Sequence, residues 1–224
     1  MKLYFTILFL TFIVSHNSYS NEKRFKVHTL AFYNLENLFD TINDTSKRDE
    51  ASPIMEMKYN RSEVYNKKIK NLSKVISGIG FEETKTLPTI VGLCEVENKN
   101  VVEDLINSDL LKNANYGISH FDSPDERGID VALIYRKNMF KILNENSAYL
   151  ELKYASGKIN YTRDQLVVEG VLENEKIYII VNHWPSRSGG ELGSRPYRNK
   201  AAELNMYIID SIQSINKNAK IITM

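Results

Sequence analysis

The stretch that most constrains the fold is the run at residues 89–94, TIVGLC, which is apolar over almost its whole length. A strand with one face in water alternates apolar and polar residues, whereas a strand covered on both faces reads as a continuous apolar run. We therefore predict that residues 89–94 form a central strand of a sheet with packed layers on both sides. Cys94, the chain's single cysteine, is then a small core residue, and no disulfide can form within the chain.

The rest of the chain alternates between strand-like and helix-like segments, which predicts an α/β fold. Helices are indicated where apolar residues recur at spacings of three and four. We take Asn100 as the N-cap of the predicted helix at residues 101–111. Pro196 precedes the predicted helix at residues 198–214, whose buried face extends to Ile215. The further predicted strands cover residues 27–33, 131–135, 166–172, 176–181 and 219–224, and the predicted helices cover residues 64–79, 101–111 and 198–214.

The composition is that of a soluble globular domain with a sizeable core. Apolar residues make up 42% of the 224 residues, and the formal net charge is +1. This balance excludes a strongly basic nucleic-acid coat but leaves room for a local basic site. Arg187 and Arg195 either attract a polyanion or are ordinary surface charges.

The first twenty residues have the pattern of a secretory signal. Lys2 precedes an apolar stretch at residues 3–14, and a polar segment follows that ends at Ser20. A positively charged start, a short apolar region and small residues at the cleavage point are typical of such signals. We predict a signal peptide at residues 1–20 and one domain at residues 25–224, secreted or periplasmic and without stable membrane association after cleavage. A signal anchor remains the alternative.

Polar side chains gather where four of the predicted strands begin or end. In α/β sheets, ligands bind where strands end, so these side chains are candidates for a common site. Carboxylate and amide oxygens suit a hard cation, Mg²⁺ or Mn²⁺ before zinc, and an imidazole beside an anion can transfer a proton near neutral pH. These side chains are Asn34, Glu36, Glu95, Asp130, Asn182 and His183.

Local sequence leaves a structural interpretation open for each of these residues. Asn34 could be a turn residue, Glu95 could start a helix or form a salt bridge, and His183 could be a satisfied core histidine. Arg163 and Asp164 could form an ion pair at the surface. Their shared position at strand ends is what favours a common site.

Five motifs in one order along the chain resemble the endonuclease/exonuclease/phosphatase superfamily, the deoxyribonuclease I-like proteins. They are FYNLENLFD at residues 32–40, GLCEVEN at 92–98, DERGIDVALIYR at 125–136, TRDQL at 162–166 and NHWPSRSGG at 182–190. The resemblance covers nearly all of the chain after the signal. It implies an α/β fold built as a four-layer α/β/β/α sandwich of two packed sheets.

The resemblance also implies roles for the residues that match the motifs. A glutamate and an asparagine bind Mg²⁺ or Mn²⁺, a histidine flanks the scissile phosphate, and an arginine supports the phosphate site. The predicted metal ligands are Glu95, Asn34 and Glu36, and the predicted catalytic residues are His183, Asn182 and Arg163. Asp130, within one of the motifs, is a predicted substrate-binding residue, and Arg187 and Arg195 are predicted to bind substrate because they lie near His183 in the sequence.

Two family motifs cannot be placed in the sequence. The family continues with a Gly-Asp-x-Asn motif and later an Asp-His pair, and the apolar run at residues 219–224 is where the first would be about to start. We therefore expect a fragment, with the sandwich incomplete at its C-terminal side. A non-catalytic remnant that only binds a phosphorylated ligand is the alternative.

The expected function is that of a monomeric, secreted phosphoesterase that depends on a divalent metal. Its partner is a phosphorylated substrate, with nucleic acid as the first choice. A sugar, inositol or phospholipid phosphoesterase remains open, because a fold does not fix a substrate.

Overall fold

Residues 25–224 are described by a computed structural model, and they form two four-stranded β-sheets. The predicted signal peptide lies outside the described residues. The first sheet has the order β1-β2-β4-β3 and the second the order β5-β6-β7-β8. The strands are β1 (Leu30–Leu38), β2 (Ile90–Val96), β3 (Tyr116–His120), β4 (Asp130–Arg136), β5 (Phe140–Ala148), β6 (Gln165–Leu172), β7 (Glu175–Val181) and β8 (Lys220–Thr223). The α-helices are α1 (Arg61–Gly78), α2 (Phe81–Thr84), α3 (Lys99–Ile106) and α4 (Gly190–Ile215), and short 3₁₀ turns lie at Asp49–Ala51 and Lys112–Ala114.

The apolar run at residues 89–94 is the core of β2, a central strand of the first sheet. It pairs in parallel with β1 and antiparallel with β4. Val91 and Leu93 belong to the hydrophobic core beneath α1 and α3, whereas Ile90 and Cys94 belong to the core between the two sheets. The prediction of a strand covered on both faces is confirmed, and Cys94 is buried as expected.

The two sheets pack face to face with helices on the outer sides. Leu133 of β4 shares the inter-sheet core with Val168 of β6 and Ile179 of β7. On the outer side of the second sheet, Gln165 of β6 donates a hydrogen bond to the carbonyl of Ala201 in α4. The mixed α/β fold with two sheets is the one predicted, with α1 and α3 on one side and α4 on the other.

Several boundaries differ from the predictions for local reasons. β1 starts at Leu30 and runs on to Leu38, so it contains the polar segment that was expected to follow it. The N-cap of α3 is Asn98, whose side chain accepts from the backbone N–H of Val101 at 3.1 Å. Asn100, the predicted cap, lies inside the helix.

The helix α4 begins before Pro196 instead of after it. Gly189 and Gly190 have φ of 76° and 83°, which glycine adopts readily, and the chain turns into the helix there. Pro196 therefore lies inside the helix. Ile215, its last residue, is 87% exposed and not part of the buried face.

β3 and β5 had no predicted counterpart. β5 lies at the edge of its sheet, and its middle residues 143–146 are exposed and mostly polar, so the segment lacks the apolar pattern of a covered strand. Within residues 25–224, no helix has the length and apolar character needed to cross a membrane.

Candidate functional site

Two β-bulges meet at the edge of the first sheet. The pairing of β1 with β2 shifts register between Asn34 and Leu38, and the pairing of β2 with β4 shifts between Cys94 and Val96. Glu36, Asn37 and Glu95 take φ of 52°, 58° and 60° in these bulges. A non-glycine residue in this left-handed region costs about 1–2 kcal/mol, and such residues cluster at functional sites.

The bulges bring Asn34 and Glu95 together. The Asn34 Nδ2 donates to Glu95 Oε1 at 3.0 Å, and the backbone N–H of Asn37 donates to Glu95 Oε2 at 2.8 Å. The backbone N–H of Glu36 donates to Asn34 Oδ1 at 2.7 Å. Both oxygens of the Glu95 carboxylate are therefore held in a fixed direction.

His183 comes to the same place from the second sheet. It follows β7, and its Nε2 lies 3.5 Å from Glu95 Oε1. Burial, reinforced by the charge of Arg163, lowers the pKa of His183 to about 4, so the imidazole is neutral at pH 7. Its Nδ1 is buried and has no hydrogen-bond partner within residues 25–224.

Arg163 positions the loop that carries His183. Its Nε donates to the carbonyl of His183 at 3.2 Å, and its Nη2 donates to the carbonyl of Trp184 at 3.0 Å. Its Nη1 forms a buried ion pair with Asp125 at 3.2 Å. The surface ion pair of Arg163 with Asp164 is absent from the described structure, because Asp164 is buried and accepts instead from Ser147 and Leu150.

Lys68 supports the bulge of β1 and was missed in the sequence. Its Nζ donates to the carbonyls of Glu36 and Asn37, the latter at 2.9 Å, and burial lowers the pKa of the amine. The spacing in the helix could have indicated this contact, because Lys68 follows Tyr65 by three residues and precedes Leu72 by four, which places it beside the buried face.

Comparison with known proteins decides the family. The profile of the Endonuclease/Exonuclease/phosphatase family matches residues 29–224, nearly all of the described chain. The chain belongs to this family. A search of curated proteins finds no match.

Solved structures show the same fold at low sequence identity. An endonuclease/exonuclease/phosphatase family protein from Bacteroides thetaiotaomicron has a TM-score of 0.52 and 14% identity, over 88% of this chain and 62% of that one. A D. rerio TDP2 humanized by 14 mutations has a TM-score of 0.51 and 14% identity, over 88% of this chain and 60% of that one. The TDP2 from C. elegans has a TM-score of 0.50 and 18% identity, over 78% of this chain and 44% of that one. This member of the Endonuclease/Exonuclease/phosphatase family therefore spans about three fifths or less of the length of these structures.

The donor set around Glu95 fits a hard divalent cation. The side chain of Glu95 is one-fifth exposed, so its oriented carboxylate is accessible to a ligand from solvent. The side chains of Asn34 and Glu36 are exposed beside it. Oxygen ligands of this kind are those that Mg²⁺ and Mn²⁺ prefer.

Asn182 has its side chain engaged on the other side of the strand. Its Nδ2 donates to Thr223 Oγ1 at 2.9 Å, and its Oδ1 accepts from Asn205 of α4 at 3.3 Å. His183 contacts Glu95 at the site, whereas Asn182 joins the end of β7 to β8 and α4. Among the three predicted catalytic residues, the structure brings His183 and Arg163 to the site and gives Asn182 structural partners.

The three residues predicted to bind substrate have other partners in the fold. Asp130 is buried and accepts from Ser123 and His120. Arg187 and Arg195 are exposed and both pair with Glu191 near the start of α4. None of the three lines the cavity of about 430 Å³ next to Arg163, whose lining includes Arg48, Arg127, Tyr154, Tyr161, Tyr197, Ser186 and Ser188.

Proposed function

We propose that this family member is a secreted or periplasmic phosphoesterase that needs Mg²⁺ or Mn²⁺ and hydrolyses phosphodiester bonds. The observation that carries the proposal is the convergence of Asn34, Glu95 and His183. These residues come from β1, β2 and the segment after β7. The Asn34 Nδ2 lies 3.0 Å from Glu95 Oε1, and the His183 Nε2 lies 3.5 Å from the same oxygen. A carboxylate that can hold a cation thus lies next to a neutral imidazole.

Glu95 is the proposed metal ligand, with Asn34 and Glu36 beside it. A divalent ion held there by Glu95 would act as a Lewis acid and would stabilise negative charge on a phosphoryl oxygen. Asn34 orients the carboxylate, and the Asn37 N–H fixes its second oxygen. Lys68 keeps the bulge in place through two backbone carbonyls.

His183 is the proposed catalytic residue for hydrogen bonding or proton transfer at the phosphate. A neutral imidazole has one N–H that donates and one nitrogen that accepts, so it stabilises an oxyanion by a hydrogen bond. Arg163 is a positioning residue, since all its hydrogen bonds go to the His183–Trp184 backbone and to Asp125.

Nucleic acid is the proposed substrate class. The cavity beside Arg163 is lined by the exposed cations Arg48 and Arg127 and by three tyrosines. Cationic groups bind the phosphate backbone, and aromatic rings stack on bases without regard to sequence. An exported, monomeric enzyme of this kind suits the breakdown of extracellular nucleic acid.

The test uses the full-length protein with plasmid DNA, bis-p-nitrophenyl phosphate and sphingomyelin, each with Mg²⁺ and with chelator. We expect metal-dependent cleavage of DNA and of the diester, and loss of roughly 100-fold or more in turnover for His183→Asn. Glu145→Gln, an exposed change on β5, is the matched control and keeps full activity. Preferential cleavage of sphingomyelin would assign the enzyme to phospholipids, and inactivity on every substrate with retained phosphate binding would favour a remnant.

Export is tested by sequencing the N-terminus of protein recovered outside the cytoplasm. We expect the mature chain to begin at Asn21, after cleavage at Ser20. Recovery of the intact N-terminus in the membrane fraction would support a signal anchor.

A further inference from the structure

The cavity of about 430 Å³ next to Arg163 is enclosed by four connecting segments of the fold. They are the segment after β1, the β3–β4 connection, the β5–β6 connection and the segment that joins β7 to α4. The pairing of the strands places all four at the end of the sheets that carries Glu95 and His183. The cavity therefore lies beside the proposed catalytic site.

The segment that starts at His183 forms one wall of this cavity. Pro185 and Ser186 line it, and so does Arg163, which donates to the carbonyls of His183 and Trp184. Consecutive Cα atoms are about 3.8 Å apart, so the Cα of Pro185 lies within roughly 7.6 Å of that of His183. One strand of DNA advances by about 3.4 Å per nucleotide. A nucleotide in the cavity is thus within a few nucleotide steps of a phosphate at His183.

Three tyrosines from two parts of the chain line the cavity. Tyr154 and Tyr161 are each 43% exposed and belong to the β5–β6 connection, where the N–H of Asn160 donates to the carbonyl of Leu152 at 2.9 Å. Tyr197 belongs to α4 and packs against the buried cluster that contains Leu152. Aromatic rings offer a stacking surface to the face of any base.

Arginine gives the cavity a surplus of positive charge. Among the described lining residues, three arginines stand against the carboxylates of Asp125 and Glu126. Arg48 pairs with Glu126 at 3.3 Å, and Arg163 pairs with Asp125 at 3.2 Å. Arg127 is more than half exposed and lies 3.6 Å from Asp125, which Arg163 already neutralises. The guanidinium of Arg127 is therefore available to a phosphate.

The volume of the cavity limits what can enter it. Cavities that enclose small ligands have about 300–1,000 Å³, so this one holds a molecule of the size of a nucleotide and not a stretch of duplex. A base that enters has to leave its stack, which costs less free energy in a single strand than in a paired duplex.

We propose that the cavity binds one unstacked nucleotide next to the scissile bond, with its base against the tyrosines and its phosphate on Arg127. The inference rests on the proposed phosphodiesterase function and narrows its substrate to single-stranded nucleic acid. Duplex DNA is cleaved more slowly, because a base has to leave the stack before it enters the cavity.

The first experiment is isothermal titration of adenosine 5′-monophosphate and of ribose 5-phosphate into the full-length protein, with chelator present so that no turnover occurs. The two ligands differ in the presence of the base, and we expect adenosine 5′-monophosphate to bind roughly 10-fold more tightly. Tyr154→Ala and Tyr161→Ala should remove most of this difference, whereas Arg127→Ala should weaken both ligands equally. Tyr207→Ala, an exposed tyrosine of α4 outside the cavity, is the matched control and keeps wild-type binding.

The second experiment compares cleavage of one oligonucleotide as a single strand and as a duplex, with Mg²⁺ or Mn²⁺ present. We expect kcat/KM to be roughly 10-fold or more higher for the single strand, because its bases are already free to enter the cavity. Tyr161→Ala should reduce this preference mainly by raising KM, since the tyrosine contacts a base and not the reacting phosphate.

Equal affinity for the two ligands, or no binding of either at millimolar concentration, would overturn the nucleotide site. So would wild-type affinity for adenosine 5′-monophosphate in both tyrosine variants, or equal cleavage of single strand and duplex. Base-dependent binding in a protein that cleaves neither oligonucleotide would support the site and contradict the proposed phosphodiesterase function.

Discussion

Glu95 and Glu97 lie two residues apart at the end of β2, and their surroundings differ in almost every respect. Glu95 takes a left-handed backbone conformation in a bulge and faces the open rim. Glu97 is buried, and burial raises its pKa to about 7. The Glu95 carboxylate is thus accessible to ligands at the surface, while the Glu97 carboxylate is buried next to other acidic side chains.

The difference shows that position in a motif does not decide what a carboxylate does. Glu95 is held by a side-chain amide and a backbone N–H, which fix the direction of its carboxylate. Glu97 has one such donor and acidic neighbours at Asp40, Asp49 and Asp44, which disfavour its charged form. The following predictions test this comparison, from the largest expected effect to the smallest.

Activity should separate the two carboxylates most clearly. We expect Glu95→Gln to lower turnover roughly 1,000-fold, because the residue is proposed to hold the catalytic metal. Glu97→Gln should lower it less than about 10-fold, since its contacts are to the neighbouring loop. Steady-state kinetics on a phosphodiester at saturating Mg²⁺ measures both, and equal losses would remove the functional distinction between them.

The arginine that positions His183 should matter for folding as well as for catalysis. Arg163→Ala removes the buried partner of Asp125 and leaves only the exposed Arg127 beside it; breaking a buried ion pair typically costs about 3–5 kcal/mol of unfolding free energy. Arg127→Ala, whose guanidinium is more than half exposed and lies 3.6 Å from the same aspartate, should cost less than about 1 kcal/mol. Urea denaturation compares the two variants, and a cost for Arg163→Ala no greater than for Arg127→Ala would contradict its positioning role.

The pH dependence of stability should carry opposite contributions from His183 and Glu97. The lowered pKa of His183, about 4, means that stability is lost as pH falls from 6.5 toward 4, because the unfolded chain binds the proton first. The raised pKa of Glu97, about 7, means that stability is lost as pH rises from 4.5 toward 7. Each amounts to at most about 3 kcal/mol, at 1.4 kcal/mol per pH unit.

Unfolding in urea, with chelator present and between pH 4.5 and 6.5, separates the two terms. Relative to wild type, His183→Asn should lose stability as pH rises, and Glu97→Gln should gain it. If the unfolding free energies of both variants, relative to wild type, changed in the same way with pH, the opposite pKa shifts of His183 and Glu97 would be contradicted.

Periodicity and apolar runs predicted most of the fold. The continuous run at residues 89–94 required a strand covered on both faces, and β2 is such a strand. The apolar spacing of α1 located that helix to within a few residues. β5 was missed because an exposed edge strand needs only backbone pairing, which leaves little trace in the side chains.

The candidate site was predicted in part. Sequence pattern and resemblance selected Asn34, Glu95 and His183, and the structure brings these three together. Asn182, adjacent to His183, was assigned to the same site, but its side chain contacts Thr223 and Asn205 instead. Roles in metal binding and catalysis stay predictions.

The sequence by itself determined which segments become strands and helices, because the spacing of apolar side chains reflects which faces can be buried. It also determined which residue types stand at the strand ends. Only the tertiary structure decided how each carboxylate behaves, because solvation and neighbouring charge depend on groups distant in the chain. Glu97 lies beside Asp49 because the loop folds back on β2, and no local pattern in the sequence specifies that contact.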